Sequence, residues 1–236
     1  MTRKPGRGRE AGAPGAERWS AGGGEVDVDV VAPTDPRAVV FVLGHGAGLD
    51  RNDPLLVDVA ARLSKGGHGV VRFDFRYRSE GRRMPDRAPV LEQTFRDVAA
   101  KARERFGARI VLGGKSMGGR MASHLAAAGD EMAGLLLLCY PLYPAKHPEK
   151  VRKAHLPSVR VPTLFVSGTR DPLAALEDLR PVVEAMPKAR LHVVAGGDHS
   201  LVVPKSSGRD RASVIDEVAE VILDWATKLR RRVRRS

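Results

Sequence analysis

Short, continuous apolar runs separated by amphipathic stretches most constrain how this chain can fold. "AVVFVLG" (38–44), "ARIVLGG" (108–114), "VPTLFVSG" (161–168) and "MAGLLLLCYP" (132–141) have no polar face. Strands apolar on both sides belong in the middle of a parallel sheet, covered above and below. "HGVVRFDFR" (68–76) and "ARLHVVAGG" (189–197) read as further strands. Between them come stretches with helical spacing. "DPLLVDVAARLSKGG" has proline at its first turn and glycine at its end. "PVLEQTFRDVAAKARERFG" (89–107) is amphipathic and stops at Gly107. "MGGRMASHLAAAG" and "ALEDLRPVVEAMP" read as helices too. In the closing helix, Val214, Val218, Ile222, Trp225 and Leu229 form one apolar stripe facing the core. Strand–helix alternation of this kind implies a mostly parallel sheet with helices on both faces. In such sheets ligands sit at the carboxyl ends of the strands.

The net charge of +12 raises the question of nucleic acid. Residues 1–24 hold Arg3, Lys4, Arg7, Arg9 and Arg18 against Glu10 and Glu17, or +3; Lys228 onward holds six cations and no anion, or +6. The excess therefore sits mainly in two tails, suited to weak, salt-sensitive adhesion to anionic surfaces rather than to specific nucleic-acid binding. Residues 1–24, rich in Gly, Ala and Arg, are expected to be a disordered tail, 25–229 a single domain, and 230–236 a second basic tail. "EVDVDVVAP" alternates as a half-buried edge strand. A single cysteine, Cys139, excludes an intrachain disulfide. Without a signal-peptide pattern or a membrane-length apolar run, the expectation is a cytoplasmic protein that does not insert into membranes.

Gly114-Lys115-Ser116-Met117-Gly118 matches G-x-S-x-G between a strand and a helix. In a nucleophile elbow the serine takes a strained conformation that lifts its hydroxyl above the sheet. Glycines two residues to either side avoid a clash in so sharp a turn. The motif alone leaves two readings, a nucleophile or a serine capping the next helix. A nucleophilic serine needs a base. Of seven histidines, His199 in "VVAGGDHSL" follows the last strand on a glycine-rich loop, at the same rim as Ser116. His147 and His155 fall in a charged, solvated stretch, and His124 on a helix. An acid to orient the base is offered by Asp171 in "LFVSGTRDPLA", again just past a strand. Asp198, adjacent to His199, is badly placed to face its ring. "LGHGAGLD" (43–50) supplies small residues for an oxyanion site, with the N–H groups of Ala47 and Met117 as donors. His45, Gly46 and Arg76 are weaker candidates for substrate contact. The arginines of "RFDFRYRSEGRRMPDR" (72–87) could attract an acidic substrate or form a solvated loop.

Serine, acid and histidine occur in the order of the α/β-hydrolase arrangement. From about Val26 to Leu229 the chain resembles that superfamily. "HGAG", "RFDFRY", "GGKSMGGR", "CYPLYP", "LFVSGTRD" and "DHSL" resemble its compact dienelactone-hydrolase-like branch. That branch includes testis-expressed hydrolase-like proteins and a subunit of a chromatin acetyltransferase complex. The resemblance implies the α/β-hydrolase fold, Ser116–Asp171–His199 as a catalytic triad, and Ala47 and Met117 as oxyanion donors. True dienelactone hydrolases carry a cysteine nucleophile where this elbow has serine. The short polar segment 141–160 implies a minimal lid or none, and an open, shallow site. The expected function is a serine hydrolase cleaving a small ester or thioester, without metal or organic cofactor. The alternative is a non-catalytic hydrolase-fold protein serving as an interaction module.

Overall fold

The computed structural model describes residues 15–230. Eight strands form one sheet: β1 (Gly15–Ala21), β2 (Gly24–Val31), β3 (Val39–Gly44), β4 (Gly69–Phe73), β5 (Arg109–Lys115), β6 (Gly134–Leu138), β7 (Thr163–Gly168) and β8 (Ala189–Val194). Their order is β1-β2-β4-β3-β5-β6-β7-β8. From β4 to β8 all neighbours are parallel, while β2 runs antiparallel to both β1 and β4. The helices are α1 (Pro54–Lys65), α2 (Arg76–Ser79), α3 (Ala88–Phe106), α4 (Met117–Ala128), α5 (Leu176–Glu184) and α6 (Arg211–Arg230).

Side-chain alternation along the central strands divides the core. Val40 and Val42 of β3, and Leu135 and Leu137 of β6, join the cluster beneath α3, α4 and α5. Val39, Phe41 and Leu43, with Leu136 and Leu138, face α1 and α6 instead. Both faces are buried, as the runs without a polar side require. The α6 stripe Val214, Val218, Ile222, Trp225 and Leu229 lies wholly in the second cluster. Between β6 and β7 only a 3-10 turn, Leu156–Ser158, interrupts the coil, so the fold is an α/β-hydrolase sheet with no inserted lid. Among the described residues no helix is long and apolar enough to cross a membrane.

Two expectations are corrected here. The stretch 15–24, assigned to a disordered tail, forms β1 and the turn into β2; residues 1–14 and 231–236 lie outside the described residues. The "EVDVDVV" run is accordingly the second strand, with β1 at the edge. The reason is local. Gly22 and Gly23 have φ of 62° and 76°, the positive values that a two-residue hairpin turn requires. The hairpin brings Trp19 onto α3, where it is 1% exposed, with Lys101 Nζ 5.4 Å from the ring centroid. The Gly22 N–H also donates to Asp97 of α3 at 2.8 Å. A buried tryptophan outweighs the flexibility of the glycines around it.

Trp19→Ala removes the largest apolar group of β1. It is expected to cost about 3–5 kcal/mol of stability, measured by urea denaturation with activity and secondary structure followed in parallel.

Candidate active site

The end of β5 meets the start of α4 at Ser116, whose φ of 51° and ψ of −112° lie in a strained region for a non-glycine residue. The strain is held by backbone packing. A Cβ on Gly114 would lie 2.0 Å from the Gly44 carbonyl oxygen, and one on Gly118 would lie 2.1 Å from the same atom. Both motif glycines are thus dictated by the end of β3 passing against the turn. The Ser116 N–H donates to the Leu138 carbonyl at 2.9 Å, which ties the elbow to β6. The Ser116 side chain makes no capping bond to α4. The capping alternative is thereby set aside: the hydroxyl points elsewhere.

It points at His199. Ser116 Oγ lies 2.9 Å from His199 Nε2, and His199 Nδ1 lies 2.9 Å from both carboxylate oxygens of Asp171. The Asp171 side chain is fully buried, and that of His199 is 24% exposed. Two loops converge to make this contact. Arg170 N–H donates to the Gly197 carbonyl at 2.8 Å, and Gly196 N–H to Thr169 Oγ1 at 2.8 Å. A Cβ on Gly168 would stand 2.0 Å from the Gly197 oxygen, so the ends of β7 and β8 touch backbone to backbone. Asp171 Oδ1 also accepts from Leu173 N–H at 2.9 Å. Asp198 is occupied in its own turn, accepting from the N–H groups of Ser200 and Val202.

Of the weaker candidates, Gly46 lies at the site: a Cβ there would come within 3.6 Å of Ser116 Cβ. Ala47 and Met117 line the cavity beside Ser116, which has a volume of about 430 Å³. Met117 is the first residue of α4, so its N–H has no acceptor within the helix. His45 does not line the cavity. It is fully buried, with Nδ1 donating to the Gly46 carbonyl at 2.8 Å and Nε2 accepting from Phe75 N–H at 3.1 Å. Burial lowers its pKa from the ordinary histidine value, in keeping with this neutral tautomer. Its work is to pin the loop that carries Ala47. Arg76 is also corrected: its guanidinium turns to Glu80 at 2.6 Å and to the Gly22 carbonyl at 3.0 Å, away from Ser116. Both losses follow from tertiary partners that a local motif does not reveal. Cys139 lies just past β6 and is fully buried; burial raises its thiol pKa well above the ordinary value, which leaves it no role as a nucleophile.

The sequence reading passed over Lys115, Asp53 and Ser200. Lys115 Nζ is 3.0 Å from Asp53 Oδ2 and donates to Ser200 Oγ at 2.9 Å. Both charged residues are buried, at 5% and 4% exposure. Asp53 simultaneously caps α1 through the N–H groups of Leu55 and Leu56. One ion pair thus joins the residue before Ser116, the residue after His199 and the start of α1. A lysine ending an otherwise apolar strand was the available signal, since a buried ammonium requires a partner.

His155, expected to be solvated, packs against α4. Its Nε2 lies 2.8 Å from Ser123 Oγ, and its ring stacks edge-on 4.4 Å from His124, which contacts Glu92 at 2.8 Å. Burial, and then the charges of His124 and Arg120, lower the His155 pKa to about 4.

A parallel sheet in this order, with a strained serine between strand and helix and a histidine within hydrogen-bond reach, defines the α/β-hydrolase class. A sequence model of the alpha/beta hydrolase domain matches residues 37–227, and the chain belongs to that family. Among solved structures it is similar to an alpha-beta serine hydrolase homologue from Coxiella burnetii, with 18% identity and a TM-score of 0.70, covering 92% of this chain and 99% of that one. A dienelactone hydrolase from Anabaena variabilis matches with 19% identity and a TM-score of 0.72, over 91% and 97% of the two chains. A lidless α/β serine hydrolase from Xanthomonas campestris matches with 17% identity and a TM-score of 0.69, over 92% and 94%. At these identities the likeness is one of fold.

Lys115→Met leaves the Asp53 carboxylate buried without its cation. It is expected to cost about 3–5 kcal/mol, and adding Asp53→Asn, which keeps the cap, should recover part of that loss in urea denaturation. His155 contributes a pH dependence of defined sign. Its folded pKa lies below its unfolded one, so its contribution is complete above about pH 6.5 and is lost as pH falls towards 4. The thermal midpoint should drop across that window, and His155→Gln should flatten the decline.

Proposed function

We propose that the protein is a serine hydrolase that cleaves a small ester or thioester through an acyl-enzyme. The observation that carries this reading is the continuous hydrogen-bonded path from Ser116 Oγ through the His199 ring to Asp171, each step 2.9 Å long. In the proposed reaction Ser116 Oγ attacks the carbonyl carbon while His199 Nε2 takes its proton. Asp171 accepts from Nδ1–H, fixing the tautomer and stabilising the imidazolium. The N–H groups of Ala47 and Met117 would receive the oxyanion, the latter at the positive end of the α4 dipole. Collapse of the tetrahedral intermediate expels the alcohol or thiol, protonated by His199. Water then enters, gives a proton to His199 and attacks the acyl carbon, and the acid departs as Ser116 regains its proton. As written, the cycle calls for no metal or organic cofactor.

The open cavity of about 430 Å³ and the absence of a lid between β6 and β7 favour short acyl groups over long chains. The same reading assigns the chain to the compact dienelactone-hydrolase-like branch, with serine in place of cysteine. It also assigns the protein to the cytoplasm, in keeping with a single thiol and no disulfide partner.

Ser116→Ala is expected to abolish labelling by a fluorophosphonate probe and to lower turnover of p-nitrophenyl acetate by on the order of 10⁴-fold or more. Asp171→Asn, which keeps the shape but offers His199 the wrong partner, should lower kcat by about 10⁴-fold. Labelling and turnover unaffected by Ser116→Ala would overturn the assignment. A protein inert to probe and ester, yet recovered with a stable partner, would favour an interaction module.

A further inference from the structure

Most of the arginines that the sequence offered for an acidic substrate are neutralised within their own neighbourhood, and the exposed Arg83 and Arg87 do not line the Ser116 cavity. Arg76 pairs with Glu80, Arg78 with Asp50, and Arg82 with Glu80 and Asp86. Two arginines from elsewhere reach the Ser116 cavity instead, Arg120 and Arg152. Neither has a carboxylate within ion-pair distance among the described residues, although the other cavity charge, Asp86, is already held by Arg82 Nη1 at 2.7 Å.

Arg120 sits one helical turn after Ser116, its N–H donating to the Ser116 carbonyl at 2.9 Å. Its Nε is buried with no hydrogen-bond partner. A buried donor on a charged group left unsatisfied is costly, and in a binding site that cost is removed by the ligand. Arg152 is held by its backbone on both sides. Its N–H donates to the Leu142 carbonyl at 2.6 Å, and its carbonyl accepts from the Tyr140 hydroxyl at 2.7 Å. Burial, followed by the positive charge of Arg120, lowers the Arg152 pKa from its ordinary value. A guanidinium stays charged at neutral pH nonetheless. The fold therefore holds two like charges beside one cavity, one on a helix and one on a pinned loop, neither with an ion-pair partner among the described residues.

We propose that Arg120 and Arg152 form an anion-binding subsite of the Ser116 cavity, so that the substrate is an ester or thioester bearing a carboxylate or phosphate. The guanidinium forks suit either group, since both present paired oxygens. An anion there relieves the repulsion between the arginines, satisfies Arg120 Nε and orients the scissile carbonyl towards Ser116. The substrate statement rests on the hydrolase reading above; the anion site itself does not.

The test combines binding with kinetics. Binding of glutarate and of propyl phosphate to the full chain is measured by titration calorimetry, for wild type, Arg120→Met and Arg152→Met. The kcat/KM for the mono-p-nitrophenyl ester of glutaric acid is compared with that for neutral p-nitrophenyl butyrate. Expected is measurable binding of at least one anion, weakened about 10–100-fold by either substitution, as loss of a charged hydrogen bond implies. The anionic ester should be preferred by a similar factor, and either substitution should collapse that ratio. Which of the two anions binds more tightly separates a carboxylate from a phosphate substrate. If the Met variants lose native circular dichroism, Arg120→Gln and Arg152→Gln take their place. Absent anion binding, or binding indifferent to both arginines, overturns the subsite even if esters are hydrolysed. Arginine-dependent binding with both esters inert keeps the subsite and rejects the hydrolase reading instead.

Discussion

A single carbonyl oxygen, that of Gly44, sets the geometry on which the site depends. It lies where a side-chain carbon of either Gly114 or Gly118 would have to be. Only with both positions bare can the end of β3 pass directly under the turn from β5 into α4. That packing holds Ser116 in a conformation costing on the order of 1–3 kcal/mol. In return the hydroxyl is raised clear of the helix it begins, free of any capping bond and available to His199. A second contact of the same kind, Gly168 against Gly197, draws the β7 and β8 loops together and so joins Asp171 to His199. Two backbone-on-backbone contacts, made where strands end, thus assemble three side chains that lie up to 83 positions apart.

Charge is distributed around this frame with a consistent logic. Lys115 and Asp53, buried together, tie the elbow to the start of α1 and, through Ser200, to the residue beside His199. Such a pair adds little net stability against an apolar substitute, but removing one partner leaves the other charge buried and uncompensated. After β4, Arg76, Arg78 and Arg82 are each matched by a carboxylate at short range. At the cavity wall, Arg120 and Arg152 have no acidic partner among the described residues, and both lie beside Ser116.

How much was legible can be argued from particular residues. The central strands were readable because a segment buried on both faces has no polar side to disguise it. The α6 stripe was readable because its helical spacing is a one-dimensional signal. The first strand was missed because Gly, Ala and Arg dominate its composition, although the Gly22-Gly23 turn and Trp19 were both in view. His155 was misjudged for a similar reason. Its charged neighbours describe the chain around it, whereas its burial is decided by α4, which arrives from thirty-odd residues away.

By itself, the amino-acid order determined the kind of layers, the place of the elbow and the three side chains that could reach it, because strand ends in a parallel sheet share one rim. Tertiary structure alone decided which charges are neutralised. His45 turned out to brace a loop, Arg76 to hold a hairpin, and Lys115 to require Asp53. The physical reason is that periodicity is a property of neighbours along the chain. The cost of a buried charge depends instead on what packs around it, and those groups come from anywhere in the sequence.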